Sequence, residues 1–301
     1  MVYSAADHSL GTVLGTAVTD PSASMPPEAP RRRRFTRIPV RFILPNLVTL
    51  LGLCLGLTSI RFAFEGRFEW SVMCIVAAAV LDGLDGRIAR ALKGTSRFGA
   101  ELDSLADFVD FGVAPAMLLY FWALNDVKSA GWLAALVYAV ACSLRLARFN
   151  VALDDPGKPA WAGQFFTGMP SPAGAIVVML PIYLHLSFIG MPQSRALVPY
   201  EIAYVLMIAF LMVSQIPHFS GKQIGRVPRE FLVLAMFGAV AFILVLATFP
   251  MEVLLAASLT YLAMIPLAIR RHAALTRASA AAMPSEIQPV DVAGQSRPGP
   301  S

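Results

Sequence analysis

Four aspartates lie within the stretch LDGLDGRIARALKGTSRFGAELDSLAD, residues 81–107. Asp82 and Asp85 are three residues apart, and Asp103 and Asp107 four apart. On helices each pair would occupy a single face. Clustered carboxylates repel one another unless a cation neutralises them. Hard oxygen ligands without a nearby His or Cys favour Mg²⁺ or Mn²⁺ over zinc. Four such groups could hold two ions about 3.5–4 Å apart, the arrangement that clamps a phosphoryl centre during in-line displacement. Gly83, Gly86, Ala89, Gly94, Gly99 and Ala100 surround the acids with small side chains. These would let helices pack closely or let a nucleotide approach the backbone. The bland alternative is a salt-bridged loop in which the acids pair with Arg87, Arg90, Lys93 and Arg97. A further alternative is an ion pathway in a transporter, since acids within spans commonly mark one.

The elements that must position these residues are apolar. Hydrophobic residues make up 57% of the 301-residue chain and charged residues 14%, with a mean hydropathy of +0.65. That composition excludes an ordinary water-soluble globule. Eight apolar blocks, near 45–64, 70–92, 101–124, 130–150, 170–189, 199–217, 230–248 and 251–269, approach the roughly 20 residues needed to cross a bilayer. The expected fold is an all-α polytopic bundle of about eight spans. An N-terminus in the cytoplasm places 20 of the 24 Lys and Arg inside, leaving Arg61, Arg67, Lys128 and Arg195 outside. By the positive-inside rule both termini are then cytoplasmic. The net charge of +5 therefore reads as membrane orientation, with no nucleic-acid partner implied. Asp82 and Asp85 fall at the end of the second span and Asp103 and Asp107 at the start of the third, so a short cytoplasmic loop brings all four together. Cys54, Cys74 and Cys142 sit in apolar blocks without a metal or disulfide pattern and read as packing residues.

The spacing of Asp82, Asp85, Gly86, Ala89, Arg90, Gly99, Asp103 and Asp107 reproduces DxxDGxxARx8GxxxDxxxD. This resembles the signature of the CDP-alcohol phosphatidyltransferases. PNLVT at 45–49, SLRLARFN at 143–150, FFTGMPSPAGA at 165–175 and MVSQIPHFSGKQIG at 212–225 are similar to the serine-using branch of that family. The resemblance covers roughly residues 40–270. It implies a metal-dependent membrane enzyme that moves a phosphatidyl group from CDP-diacylglycerol to the hydroxyl of L-serine and releases CMP. Another acceptor alcohol, such as glycerol 3-phosphate, choline or inositol phosphate, is not separated by the signature. By position, Asp82, Asp85 and Asp103 would be metal ligands, and Asp107 a further ligand or the base. The division of those roles between Asp103 and Asp107 stays open. Gly86, Ala89 and Gly99 would face the nucleotide, with Arg90 ordering the loop or meeting phosphate. Asn46 and Thr49 are further nucleotide-site candidates, or an interfacial turn and a helix cap. A homodimer is a family expectation.

Other residues suit an acceptor site. Arg145 and Arg148, three apart at the end of the fourth span, could clamp a carboxylate or phosphate, with ordinary positive-inside anchoring as the alternative. Asn150 and Gly168 to Pro172 would form a loop beside them. Asp110 lies one turn beyond Asp107, outside the signature, and reads as a residue supporting the metal ligands or a solvated acid, with a direct metal role or acceptor binding as alternatives. His218 reads as interfacial, and Lys222 could meet lipid phosphate. The chain divides into a basic tail (1–40), a catalytic core of six helices (41–217), an added loop and two spans expected at the periphery or at an interface (218–271), and a second tail (272–301). Neither tail has apolar surface to bury, so both are expected to be dispensable for the fold. The expected location is the cytoplasmic membrane, with the site at its cytoplasmic face among membrane lipids.

Overall fold

The computed structural model describes residues 40–92, 94, 96–153, 165–219 and 232–281. Arg31 to Arg34, Lys93, Lys158, Lys222, residues 1–39 and residues 282–301 lie outside them, whereas 272–281, expected in the second tail, continue a helix. Helix α1 (Val40–Phe64) and helix α2 (Phe68–Ala91) form an antiparallel hairpin. Its turn passes through Gly66 at φ 73°, a conformation that glycine adopts without steric cost. Ser59 and Ser71 fix the register of this pair. Their hydroxyls are 2.8 Å apart, and Ser71 Oγ donates to the Ser59 carbonyl at 2.9 Å.

The third apolar block is one helical run with a change of pitch inside it. Helix α3 (Arg97–Asp107) passes into a π-helical turn, Phe108–Val113, and then helix α4 (Ala114–Trp122). The Ala114 N–H bonds the Val109 carbonyl, five residues back. Helix α5 (Ser129–Leu153) secures this turn, because the buried Tyr138 hydroxyl donates to the Phe111 carbonyl at 3.0 Å. The two segments also approach closely. A Cβ on Gly112 would lie 3.1 Å from Cys142 Cβ.

The fifth block is broken into helices α6 (Ser171–Val178) and α7 (Leu180–Leu186). Pro181 explains the break, since proline has no N–H and its ring clashes with the carbonyl four residues back. That carbonyl, of Val177, instead accepts from Tyr204 Oη at 2.6 Å, which ties in helix α8 (Val198–Val213). Two strands, β1 (Phe165–Thr167) and β2 (Pro217–Phe219), pair antiparallel with Phe166 opposite His218. An all-α expectation did not include them.

Helices α9 (Leu232–Thr248) and α10 (Pro250–Ala281) complete the described bundle. The two helices meet the bundle differently. Helix α9 exposes Leu234, Met236, Phe237 and Leu244, whereas α10 buries Met251, Leu254 and Leu255 in the core. Ser258 of α10 also donates to the Ile176 carbonyl of α6 at 3.4 Å.

Each of the eight apolar blocks coincides with helix. Among the described residues four stretches are long and apolar enough to cross a membrane: Ile43–Phe64, Arg97–Trp122, Ser129–Val151 and Pro250–Arg271. Val198–Val213 and Met236–Thr248 are shorter apolar helices. The chain is thus a helical membrane protein.

Candidate active site

Helices α2 and α3 bring the first three aspartates to one point. Asp82, Asp85 and Asp103 each present a carboxylate oxygen within 4.8 Å of the others. Asp107 and Asp110 line the same small void, together with Thr49 and Gly52 of α1. Among the described residues no Lys or Arg forms an ion pair with these acids. Arg87, Arg90 and Arg97 therefore do not neutralise these acids by ion pairs, and Lys93 lies outside the described residues. Three oxygen donors gathered without a cationic side chain fit a hard divalent ion, and Asp82, Asp85 and Asp103 are the residues placed to hold it.

Thr49 is not a helix cap. It lies inside α1, buried, and its hydroxyl donates to Asp85 Oδ2 at 2.7 Å. This bond orients one carboxylate of the cluster while leaving its other oxygen available.

Beside the acids a cleft of about 160 Å³ is lined by Asn46, Thr49, Gly86, Ala89, Arg90 and Gly99, together with Asp85 and Asp103. All six nucleotide-site candidates therefore share one cavity wall with two of the acids. Gly99 approaches its neighbours closely: a Cβ there would lie 2.9 Å from Asn46 Oδ1 and 3.1 Å from Ser96 Oγ, so both side chains would have to shift. Ser96 caps α3 by accepting from the Gly99 N–H at 2.9 Å. Such a cap typically contributes about 1 kcal/mol. Ser96, Pro45 and Gly94 also line the cleft. Ser96 and Pro45 were not among the sequence candidates. Ser96 could have been found from a serine standing just before a helical segment.

The acceptor candidates separate. Arg145 lies over the Phe149 ring at 5.1 Å and donates to the buried Ser171 Oγ at 3.1 Å, and its charge acts on Asp82 and Asp107. Arg148 instead donates to the Val213 carbonyl, which occupies it with backbone. Asn150 belongs to α5 and not to a loop, and its amide donates to Ser104 Oγ at 2.9 Å, between Asp103 and Asp107 in sequence.

Asp110 is not solvated. It is 3% exposed, and its Oδ1 has no hydrogen-bond partner among the described residues. The π turn aims it at two glycines of α1. A Cβ on Gly52 would lie 3.3 Å from Asp110 Oδ2, and one on Gly56 would overlap Oδ1 and come within 2.9 Å of Cγ.

Carboxylates of α2 and α3 thus converge beside a cleft of small residues in a helical membrane protein. Residues 42–216 match the CDP-alcohol phosphatidyltransferase family, and the chain belongs to it. It is 44% identical over 245 residues to the CDP-diacylglycerol–serine O-phosphatidyltransferase of Mycobacterium leprae, covering 81% of this chain and 79% of that protein. The protein of the same name from Mycobacterium tuberculosis strain H37Rv is 49% identical over 159 residues, 53% of this chain and 54% of its own. That from Bacillus subtilis is 35% identical over 185 residues, 59% of this chain and 91% of its own.

Proposed function

We propose that the chain transfers the phosphatidyl group of CDP-diacylglycerol to the hydroxyl of L-serine, giving phosphatidylserine and CMP. The observation that carries this reading is the juxtaposition of Asp82, Asp85 and Asp103 with the cleft of Asn46, Gly86, Ala89, Arg90 and Gly99. Its likeness to the serine-using relatives supports the choice of acceptor.

When bound by Asp82, Asp85 and Asp103, with Asp107 as a further ligand or the base, Mg²⁺ or Mn²⁺, two ions in this reading, supply charge neutralisation of the pyrophosphate and of departing CMP. The chain's own residues do the rest. Small side chains at Gly86, Ala89 and Gly99 admit the cytidine nucleotide to the backbone, and Arg90 meets phosphate. Asp107 or Asp103 accepts the serine hydroxyl proton. As the serine oxygen bonds to the phosphatidyl phosphorus, the bond from that phosphorus to CMP breaks, and CMP leaves with its electron pair. A positioned base typically contributes about 10²–10⁴ in rate.

In this reading Arg145 holds the serine carboxylate, and Asp110 or an aspartate of the signature serves as the anion for its ammonium. Arg145→Ala is expected to raise the KM for serine more than that for CDP-diacylglycerol. Arg148→Ala, whose guanidinium already holds Val213, should show a smaller change. Equal effects on both substrates would remove Arg145 from the acceptor site.

The orientation in this reading puts both termini and the acids at the cytoplasmic face of an eight-span protein. A water-soluble amino acid and a lipid-anchored nucleotide then meet without crossing the bilayer. Reporters fused after Thr95 and Lys158 are expected to read cytoplasmic, and those after Glu65 and Lys128 external. The reverse pattern overturns the orientation.

The reaction itself is tested by CMP release from purified protein with CDP-diacylglycerol, metal and a panel of alcohols. Turnover of serine is the expected result. Turnover of glycerol 3-phosphate or choline without serine would leave the class standing and refute the acceptor.

A further inference from the structure

A second cavity of about 170 Å³ lies between the end of α4, helix α7 and the start of α8. Trp122, His185, Gln193, Tyr200, Glu201 and Tyr204 line it. It is remote from the aspartates. Along α8 the chain runs twelve residues from Glu201 to Val213, where Arg148 is held, and this spans about 18 Å at the helical rise.

Glu201 is the one acid on an otherwise apolar helix, and it is 7% exposed. Its Oε2 accepts from the neutral Gln193 amide at 3.3 Å, a long bond, and among the described residues no Lys or Arg lines the cavity. A carboxylate this far from water favours a cationic partner. The walls favour an organic one, since the faces of Trp122, Tyr200 and Tyr204 carry negative potential that attracts an ammonium. One carboxylate among aromatic rings does not replace the hydration shell of a divalent metal.

His185 also lines the wall, with its Nδ1 proton committed to the Met191 carbonyl at 2.9 Å. Gln193, whose amide N–H is given to Glu201, carries a carbonyl oxygen as a further acceptor. A carboxylate, aromatic side chains and an amide oxygen together suit the N–H donors of a primary ammonium. Tyr200, 74% exposed, stands at the mouth and leaves it reachable.

We propose that this cavity binds a primary organic ammonium, free or as the headgroup of an amine-bearing lipid. The test uses the full chain in phosphatidylglycerol nanodiscs, titrated with ethanolamine and followed by tryptophan fluorescence and calorimetry. Saturable binding is expected, with none by ethylene glycol or acetate. Glu201→Gln and Tyr200→Ala should each weaken it by about tenfold or more while CMP release is unchanged. Tyr200 is exposed, so its variant carries the test if Glu201→Gln fails to fold.

Asp110→Asn should leave ethanolamine binding intact; loss of binding there would place the amine at the aspartate end and overturn the proposal. The absence of saturable binding, or equal binding by wild type and both cavity variants, would also overturn it. Adding phosphatidylethanolamine to the nanodiscs identifies the source. A weakened apparent affinity for ethanolamine assigns the site to the lipid headgroup, and an unchanged one assigns it to the free amine.

Discussion

Asp103→Asn, like Asp82→Asn and Asp85→Asn, is expected to reduce CMP release by at least about 10²–10⁴-fold while the protein still folds in the membrane. The three oxygens within 4.8 Å of one another have no cationic side chain paired to them among the described residues. Replacing one by an amide removes both a ligand and a repulsion. The two consequences have opposite signs and can be read separately. Without metal, the melting temperature of each variant should equal or exceed that of wild type. Added Mn²⁺ should raise the melting temperature of wild type much more than that of the variants, by preferential binding to the folded state. Asp110→Asn should have a milder effect on rate. Normal activity of the three variants at limiting Mg²⁺ or Mn²⁺ would remove the metal site.

The second large effect is structural. Gly56→Ala is expected to cost about 1–3 kcal/mol of stability and most of the activity. The added Cβ would overlap Asp110 Oδ1 and stand 3.1 Å from Asp110 Cα, so the π turn itself must move and not only a side chain. Helix α3 precedes that turn directly, and Asp103 and Asp107 would shift with it. Gly52→Ala, one turn away, meets only a carboxylate oxygen at 3.3 Å and should be much milder. The double variant Gly56→Ala/Asp110→Ala should recover part of the stability but not all, because the contact with Cα remains. Thermal unfolding in detergent measures each effect, and a Gly56→Ala protein as stable as wild type would refute the close approach of α1.

The acids and their partners were legible because they obey local rules. Asp82 and Asp85, and Asp103 and Asp107, are spaced for single helix faces across a short connection, and the small residues between them are the ones that line the cleft. The apolar blocks gave the helices, since length and hydropathy suffice for that. What stayed hidden depends on tertiary contact. The run FVDFGVAPA has no change of period to betray a wider turn at 108–113, and nothing local pairs Asp110 with Gly52 and Gly56. Arg145 and Arg148 look equivalent in sequence and are separated only by what they meet, Ser171 in one case and the Val213 carbonyl in the other. The pairing of β1 with β2 joins segments about fifty residues apart. Pro181 was readable as a helix breaker, but its consequence, a Val177 carbonyl given to Tyr204, required the fold.

The wide turn at Phe108–Val113 bears on how such a chain can change length. In a regular helix, losing one residue rotates everything downstream by about 100° and turns a packed face toward lipid. A π turn holds one residue more than the α-helix needs over the same span. One deletion there converts it to regular helix and leaves α4 in phase with α3. The third span thus contains a point where evolution or an engineer can subtract a residue without repacking either side. The buried carboxylate of Asp110 lies in that surplus, so the signature aspartates are constrained by the helices around them while Asp110 is separable from them.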